Sequence, residues 1–202
     1  MANSPKTAIR PKGSPFVKIE SLSDIKNGFT LGVTISLSGI FLKPMIIAKG
    51  KTTRSLNKYD IKNKFIGMYN KSGWADENCI LKILEEIIKK TKNENSLLLL
   101  DQYTSHMTPK VKKYAENNKI KLLYVPKGLT YKYQPLDVGV FGILKKKASK
   151  YYTEYVTEKD NSKYTHTQCT KDLIKIMKEI DKKTITKSFK CLLLNKSVKN
   201  IL

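Results

Sequence analysis

Asp101 is the residue whose position most strongly indicates chemistry. It directly follows four consecutive leucines at residues 97–100, a run too short to span a membrane and too unbroken for a half-exposed strand. The run therefore predicts a parallel strand that is buried on both faces. Such a strand delivers Asp101 to the carboxyl edge of its sheet, where open α/β folds bind their ligands. The alternative is an aspartate that begins a turn by hydrogen-bonding to its own backbone.

The segments after Asp101 predict a parallel crossover. Thr108 and Pro109 are a good N-cap and first residue for a helix that runs to about Asn118. Residues 120–125 (IKLLYV) then predict a second buried strand. Pro135 is suited to start a long helix through about Glu158, and it places Asp137 in the first turn of that helix.

The segments before Asp101 predict a hairpin and a helix. Residues 29–37 and 40–48 flank the two-residue connection Ser38-Gly39 and read as antiparallel strands. Pro44 should keep the second strand at an edge of the sheet or at a break in its ladder. Asp76 and Glu77 should open a helix that ends near Asn93, since acids suit the positive end of the helix dipole.

This order of elements defines the fold class. A hairpin followed by helix, strand, helix and strand fits an α/β ribonuclease-H-like mixed sheet with flanking helices, and it fits other three-layer α/β folds nearly as well. We divide the chain into an irregular N-terminal segment at residues 1–15, the α/β domain at residues 16–158 and a basic helical C-terminal extension at residues 159–202. In the first part of the domain, residues 16–20 (FVKIE) alternate like a short strand.

The net charge of +22 indicates a polyanionic partner, most often nucleic acid. Only two of the 39 basic residues are arginine, and lysine supplies a point charge rather than the bidentate fork that reads guanine. The charge therefore favours non-specific phosphate contact over base-specific recognition. A codon bias toward A and T is an alternative origin for the many lysines.

Two segments carry a resemblance to a known family. LLLLDQYTSH at residues 97–106 and QPLDVGVFGILKKK at residues 134–147 together resemble the DDE superfamily endonucleases, in particular the pogo and jerky transposases with their centromere-protein-B-like relatives. Three connecting segments match as well: TLGVTISLSGIFLKPMIIAKGK at 30–51, SGW at 72–74 and YVPKGLT at 124–130. The resemblance covers roughly residues 16 to 150.

The resemblance implies a metal-dependent catalytic site. In that family three carboxylates hold two divalent metal ions, Mg²⁺ or Mn²⁺, on a ribonuclease-H-like sheet. Asp101 matches the second acid and Asp137 matches the third, with 35 residues between them. One metal activates the nucleophile and the other stabilises the leaving oxygen, at about 3.5–4 Å from each other. Carboxylate oxygens are the ligands that such hard cations prefer.

The sequence departs from the family pattern at its N-terminal end. The family's first acid stands in an Asp-Glu-Thr-like motif on the first, central strand of the sheet, and this sequence lacks that motif and the N-terminal DNA-binding region. We therefore expect an N-terminally truncated domain with two of three catalytic aspartates and little or no activity. Glu20 and Asp24 are the only acids before the hairpin. Either is a candidate substitute ligand, with an exposed surface charge as the alternative.

Several other residues allow two interpretations each. Lys145, Lys146 and Lys147 lie beside the expected site and are candidates for nucleic-acid phosphate contact, or they form an ordinary solvated helix face. His106 matches a Ser-His pair of the family, but we favour a role in bracing the following helix. For the whole chain the favoured function is a transposase-derived DDE endonuclease domain. A non-enzymatic, lysine-rich nucleic-acid-binding protein is the main alternative, and a decayed transposon remnant is another.

The cellular setting is predicted from what the sequence lacks. The three cysteines are too widely spaced for a disulfide or zinc pattern, which fits reduced thiols in a cytosolic or nuclear protein. The sequence shows no secretion signal and no run of about 20 apolar residues that would span a membrane. We expect a nuclear protein whose partner is DNA, and the sequence leaves the oligomeric state open.

Overall fold

The computed structural model describes residues 28–158 and 163–193, which form a mixed α/β fold with two small sheets. The strands are β1 (Phe29–Gly32), β2 (Met45–Lys49), β3 (Ile66–Asn70), β4 (Ser96–Asp101) and β5 (Ile120–Val125). The helices are α1 (Glu77–Thr91), α2 (Pro109–Asn117), α3 (Thr130–Tyr133), α4 (Phe141–Glu158), α5 (His166–Glu179), α6 (Lys182–Ser188) and α7 (Lys190–Leu193). The segments at residues 1–15 and 16–20 lie outside the described residues.

The predicted antiparallel hairpin is confirmed, with shorter strands and a longer connection. β1 pairs antiparallel with β2, from Phe29 opposite Ala48 to Gly32 opposite Met45. The connection turns at Gly39, whose φ of 81° suits glycine and whose amide donates to the Ser36 carbonyl at 2.9 Å. The Ser36 amide donates to the Ile40 carbonyl at 2.9 Å, so the connection is a three-residue loop, Leu37-Ser38-Gly39, and not the predicted two-residue one. Such loops end in a residue with positive φ, which glycine supplies.

The prediction of an edge position for the second strand is wrong, while the break in the ladder at Pro44 is confirmed. β2 lies in the middle of the first sheet, between β1 and the parallel strand β3. β2 begins at Met45, directly after Pro44, and the Pro44 carbonyl accepts a hydrogen bond from the Ile66 amide at 2.8 Å. β3 was not predicted, because residues 49–75 lack strict apolar alternation.

Helix α1 forms where its cap predicted it. The Asp76 carboxylate accepts a hydrogen bond from the Cys79 amide at 3.0 Å, which satisfies one of the unpaired N–H groups of the first turn. The buried stripe of Ile80, Leu84 and Ile87 follows helical spacing. This stripe belongs to a core cluster that also contains Val111 and Ala115 of α2.

The second sheet carries the predicted crossover. β4 and β5 are parallel, from Ser96 opposite Ile120 to Asp101 opposite Val125, and α2 connects them. The Thr108 hydroxyl caps α2 by accepting from the Val111 amide at 3.3 Å. Across residues 28–158 and 163–193 the two sheets are not hydrogen-bonded to each other.

The expectation that the leucine strand is buried on both faces is wrong. Leu97 is 44% exposed, and none of the four leucines is fully buried. Leu98 packs against the cluster formed by α1 and α2, which cover one face of β4. Among the described residues β4 pairs only with β5, so its other edge has no partner strand that would help to bury the leucines.

The C-terminal helices share a core with the first sheet. Ile46 of β2 and Leu144 of α4 belong to the same cluster as Leu173 and Ile176 of α5 and Ile185 of α6. The helix predicted to start near Pro135 begins instead with a π-helical turn at Leu136–Val140, and α4 follows at Phe141. The domain boundary at residue 158 stays a prediction.

A buried polar cluster lies at the start of α5, and its Tyr164 ring packs edge-on against Tyr152 and Tyr155 of α4. The Tyr164 hydroxyl donates to Asp172 Oδ2 at 2.8 Å, and the Gln168 side-chain amide donates to Asp172 Oδ1 at 2.8 Å. Asp172 and Tyr164 are both buried, and desolvation is the largest cause that raises the pKa of Tyr164. The cluster satisfies both carboxylate oxygens, as a buried charge requires.

Removal of the Tyr164 hydroxyl should therefore destabilise the protein. We expect Tyr164→Phe to lower the free energy of unfolding by about 1.5–3 kcal/mol, the range for a hydrogen bond to a charged group. Urea denaturation at neutral pH measures this change. Tyr131→Phe is the matched control, since Tyr131 is strongly exposed and should change the stability by less than about 0.5 kcal/mol. Equal stability of the two variants would contradict the role assigned to the cluster.

Candidate active site

Asp101 lies at the carboxyl edge of the β4–β5 sheet. It is the last residue of β4 and stands opposite Val125, the last residue of β5. Its side chain is 40% exposed. The chain then enters a 3₁₀-helical turn at Thr104–His106 before α2 begins. The carboxylate is thus presented at the edge of a parallel sheet, where such folds place functional groups.

His106 contacts Asp101 twice through one ring nitrogen. His106 Nδ1 lies 2.7 Å from Asp101 Oδ1 and 3.1 Å from the Asp101 backbone oxygen. Both oxygens are acceptors, so Nδ1 must carry the hydrogen. The His106 ring does not cap the following helix, because it contacts Asp101 and the Thr108 hydroxyl caps α2. Its role in bracing that helix stays a prediction.

Asp137 is carried by the π-helical turn at Leu136–Val140. Its amide donates to the Gln134 carbonyl at 3.0 Å, and Val140 of the same turn is fully buried in the core. Gly139 lies so close to α6 that an added Cβ would come within 2.6 Å of Ser188 Cβ. Burial of Val140 and the close approach at Gly139 fix the turn, while the side chain of Asp137 itself stays exposed at its surface.

The two aspartates interact electrostatically although 35 residues separate them in the sequence. Partial desolvation raises the pKa of Asp137 above its ordinary value, and the negative charge of Asp101 raises it further. The positive charge of Lys145 acts in the opposite direction. A like charge within a few ångströms raises the pKa of a carboxyl group in this way. The distance over which two charges interact depends on the local dielectric constant.

This coupling has a measurable consequence. Asp101→Asn should lower the pKa of Asp137, because it removes the like charge and leaves the desolvation in place. The raised pKa of Asp137 also makes the stability of the protein depend on pH. Protonated Asp137 favours the folded state below the pKa of the unfolded chain, and this contribution is lost as the pH rises through the folded-state pKa. Carboxyl ¹³C chemical shifts followed from pH 2 to 7 measure the titration. The exposed-acid variant Glu85→Gln should leave the Asp137 midpoint unchanged, and an unchanged midpoint in Asp101→Asn would contradict the coupling.

Residues next to the two acids in the sequence carry further oxygen atoms of the kind that a hard divalent cation binds. Two buried acceptor-capable atoms, Ser105 Oγ and Gln134 Oε1, have no hydrogen-bond partner within the described ranges. Ser105 precedes His106 in the sequence, and the backbone carbonyl of Gln134 accepts a hydrogen bond from the Asp137 amide. Oxygen donors of this kind fit Mg²⁺ or Mn²⁺, and the orphaned oxygens suit the water molecules that these cations retain. Asp101 and Asp137 would supply the direct ligands.

The described residues supply two carboxylates to this site. Residues 28–158 and 163–193 contain no group of three or more His, Cys, Asp or Glu side chains arranged to hold a metal ion. Glu20 and Asp24, the two candidate substitutes for a third ligand, lie outside the described residues.

The three consecutive lysines of α4 have different environments. Lys145 and Lys146 are exposed, and the charge of Lys145 acts to lower the pKa of Asp137. Lys147 forms an ion pair with Glu179 at 2.6 Å, and the Tyr151 hydroxyl also contacts that carboxylate. Lys145 and Lys146 are therefore the better candidates for phosphate contact.

Comparison with known families decides the classification of this site. The family model of the DDE superfamily endonucleases matches residues 31–192, most of the chain. The chain belongs to the DDE superfamily endonucleases. The matched range runs from within β1 to within α7, so it includes the strand that ends at Asp101 and the π-helical turn that carries Asp137.

A curated relative of this DDE endonuclease domain matches a smaller region. The MFS-type transporter clz9 of Cochliobolus lunatus is 29% identical over 126 residues, which cover 60% of this chain and 14% of that protein. This chain therefore spans only a small part of that relative's length. No helix within the described ranges combines the length and apolarity that a bilayer crossing needs. No solved structure matches the chain significantly.

The sequence did not indicate the contact between His106 and Asp101 or the orphaned oxygen of Gln134. The contact joins residues five positions apart, and it depends on the 3₁₀-helical turn at Thr104–His106. The Gln-Pro-Leu-Asp order was the available signal for Gln134, since a polar residue directly before a helix-starting proline stays at the helix entrance.

Proposed function

We propose that this chain is a transposase-derived, metal-dependent DNA endonuclease domain of the pogo and jerky lineage, with Asp101 and Asp137 as ligands of Mg²⁺ or Mn²⁺. The single observation that carries the proposal is the match of the DDE superfamily endonuclease model to residues 31–192, which contain both acids. The raised pKa of Asp137, to which the charge of Asp101 contributes, supports it. Two carboxylates that lie near each other repel, which disfavours such a pair without a partner of opposite charge. A divalent cation removes that repulsion.

The residues of the site have distinct tasks in this proposal. When bound, the metal ions supply activation of the attacking oxygen and stabilisation of the leaving oxygen of a phosphodiester. Asp101 and Asp137 hold the cations at the edge of β4. Lys145 and Lys146 hold the phosphate backbone of the DNA beside them, as point charges without sequence preference. We further propose a ribonuclease-H-like arrangement of the two sheets and a nuclear location.

We propose low activity for this 202-residue chain. The family that these motifs resemble uses three carboxylates to hold two metal ions, and the described residues contain no group of three or more metal-binding side chains. Two ligands hold a cation loosely, and positioning of both cations is most of the catalysis in this chemistry. Glu20 or Asp24 would restore a set of three if either approached Asp101.

A non-enzymatic, lysine-rich nucleic-acid-binding protein is the second candidate function. The net charge of +22 favours it, because such a charge supports phosphate contact without any metal. The two functions differ in one property. The nuclease domain binds a divalent cation at Asp101 and Asp137, whereas the non-enzymatic protein needs neither carboxylate.

Titration of the full chain with Mn²⁺, followed by the electron paramagnetic resonance signal of the free ion, separates the two functions. We expect saturable binding that Asp101→Asn and Asp137→Asn each weaken by at least about 100-fold, since loss of an outer-shell partner alone costs 10–100-fold. Glu85→Gln is the matched control, because it removes an exposed carboxylate that pairs with Lys82. Unchanged Mn²⁺ affinity in both aspartate variants would contradict the nuclease proposal.

A further inference from the structure

We propose that His106 is the positioning residue of Asp101. In this role the Nδ1–H group of His106 holds Asp101 Oδ1, and Oδ2 is left to face the cation. The inference rests on the metal site proposed above and adds a residue to it. His106 is thereby assigned to the support of the site rather than to helix capping.

One ring nitrogen of His106 contacts both the side chain and the main chain of Asp101. His106 Nδ1 lies 2.7 Å from Asp101 Oδ1 and 3.1 Å from the backbone oxygen of the same residue. A shared hydrogen bond to the side chain and the main chain of Asp101 restricts rotation about its Cα–Cβ bond. Only one carboxylate oxygen is engaged, so the other stays available.

His106 is itself held from three directions. Its backbone oxygen accepts a hydrogen bond from the Tyr124 hydroxyl at 2.9 Å, and its amide donates to the Tyr103 carbonyl at 2.9 Å. The Tyr103 ring packs edge-on against its imidazole at a centroid distance of 5.8 Å. The His106 side chain is 15% exposed against 40% for Asp101, so a nearly buried group orients a more exposed one.

This arrangement matches the way proteins support metal ligands. Carboxylates that bind metals are usually hydrogen-bonded by a neighbouring group, which fixes the ligand before the metal arrives. An exposed aspartate at a strand end would otherwise lose side-chain freedom on binding the cation, at a cost to affinity. A bond that merely stabilised the loop would change the melting temperature and leave cation affinity unchanged.

Substitution of His106 by asparagine or by glutamine shows which of its two ring nitrogens holds Asp101. Asparagine places its amide nitrogen where the Nδ1 of histidine lies, and glutamine places its amide nitrogen near Nε2. His106→Asn should therefore keep the Asp101 contact, whereas His106→Gln and His106→Ala should lose it. His166→Gln is the matched control, since His166 is the other histidine of the chain and lies in α5.

Mn²⁺ affinity of the full chain is the first readout. We expect His106→Gln and His106→Ala to weaken Mn²⁺ binding by about 10–100-fold and His106→Asn to stay within about threefold of the unsubstituted chain. Asp101→Asn, measured in parallel, reports on the metal site itself. Unchanged affinity in His106→Ala beside a loss in Asp101→Asn overturns the role of His106 and leaves the metal site standing. Equal losses in all three His106 variants also overturn it.

The second readout needs no substitution. Long-range ¹⁵N–¹H correlation spectra of the unsubstituted chain should show a hydrogen on His106 Nδ1, as two acceptors around that atom require. A ring with Nδ1 unprotonated overturns the proposal even if every His106 variant fails to fold. Absence of saturable Mn²⁺ binding to the unsubstituted chain overturns the metal site and the role of His106 together.

Discussion

DNA binding by this domain should weaken by about 10³-fold when the salt concentration rises from about 50 to about 200 mM, if about six phosphates are neutralised. The charge of the chain, +22 with lysine as nearly the whole basic content, predicts contact through the phosphate backbone. Each neutralised phosphate releases condensed counterions, so the logarithm of the binding constant falls linearly with the logarithm of the salt concentration. Two DNA duplexes of unrelated sequence should bind with equal affinity, because lysine point charges do not read bases.

Substitutions in α4 locate the contact. Lys145→Ala and Lys146→Ala should each reduce the salt slope by about 0.9, the value for one lost phosphate contact. Lys147→Ala should have a smaller effect because Lys147 already pairs with Glu179. The control Lys82→Ala removes a lysine that pairs with Glu85 on α1. Fluorescence anisotropy of labelled DNA measures all four, and sequence-selective binding that persists at high salt would contradict this interpretation.

The second large effect concerns cleavage. Supercoiled plasmid incubated with the 202-residue chain and Mg²⁺ or Mn²⁺ should be nicked no faster than plasmid without protein. Metal-dependent nucleases depend on two cations fixed by several ligands, and enzymes of this power accelerate reactions by at least about 10⁶-fold. Two carboxylates among the described residues leave that positioning incomplete. Agarose gels of nicked and linear DNA measure the rates.

Robust cleavage that disappears in Asp101→Asn would contradict the argument from two carboxylates. It would indicate a third ligand, for which Glu20 and Asp24 are the candidates. Glu20→Gln and Asp24→Asn would then identify which of them completes the set. Cleavage that survives Asp101→Asn would instead indicate a contaminating nuclease.

Local chemical signals made part of the fold predictable. Gly39 supplied the positive φ of the hairpin turn, and Asp76 and Thr108 supplied the side-chain caps of α1 and α2. These signals act within a few residues of the element that they define, so they can be recognised without knowledge of the tertiary structure.

Features that depend on distant residues could not be predicted in this way. β2 lies between two strands because residues 66–70 pair with it, although their sequence shows no clear alternation. The leucine strand is half-buried because helices cover one face and one edge has no partner among the described strands. Burial depends on the neighbours of a strand, and the composition of the strand does not reveal them.

The residues of the candidate site were likewise predictable only in part. The resemblance of two short motifs predicted Asp101 and Asp137, and their pairing stays a prediction supported by the pKa of Asp137. The contact of His106 with Asp101 required the geometry of the intervening turn. A sequence signal for such a contact is weak, since histidine five residues after an aspartate occurs often without any contact.

A crystal of the full chain soaked in MnCl₂ and measured at the manganese absorption edge tests the metal site most directly. We predict an anomalous peak at the carboxyl edge of β4, with one oxygen of Asp101 and one of Asp137 at about 2.1 Å from the ion, close to the distances of comparable hard cations. Asp101 Oδ1 should keep its contact with His106, and Oδ2 should be the oxygen that binds. A manganese peak held by other residues, or an Asp137 side chain that points away from Asp101 in the soaked crystal, would contradict the site.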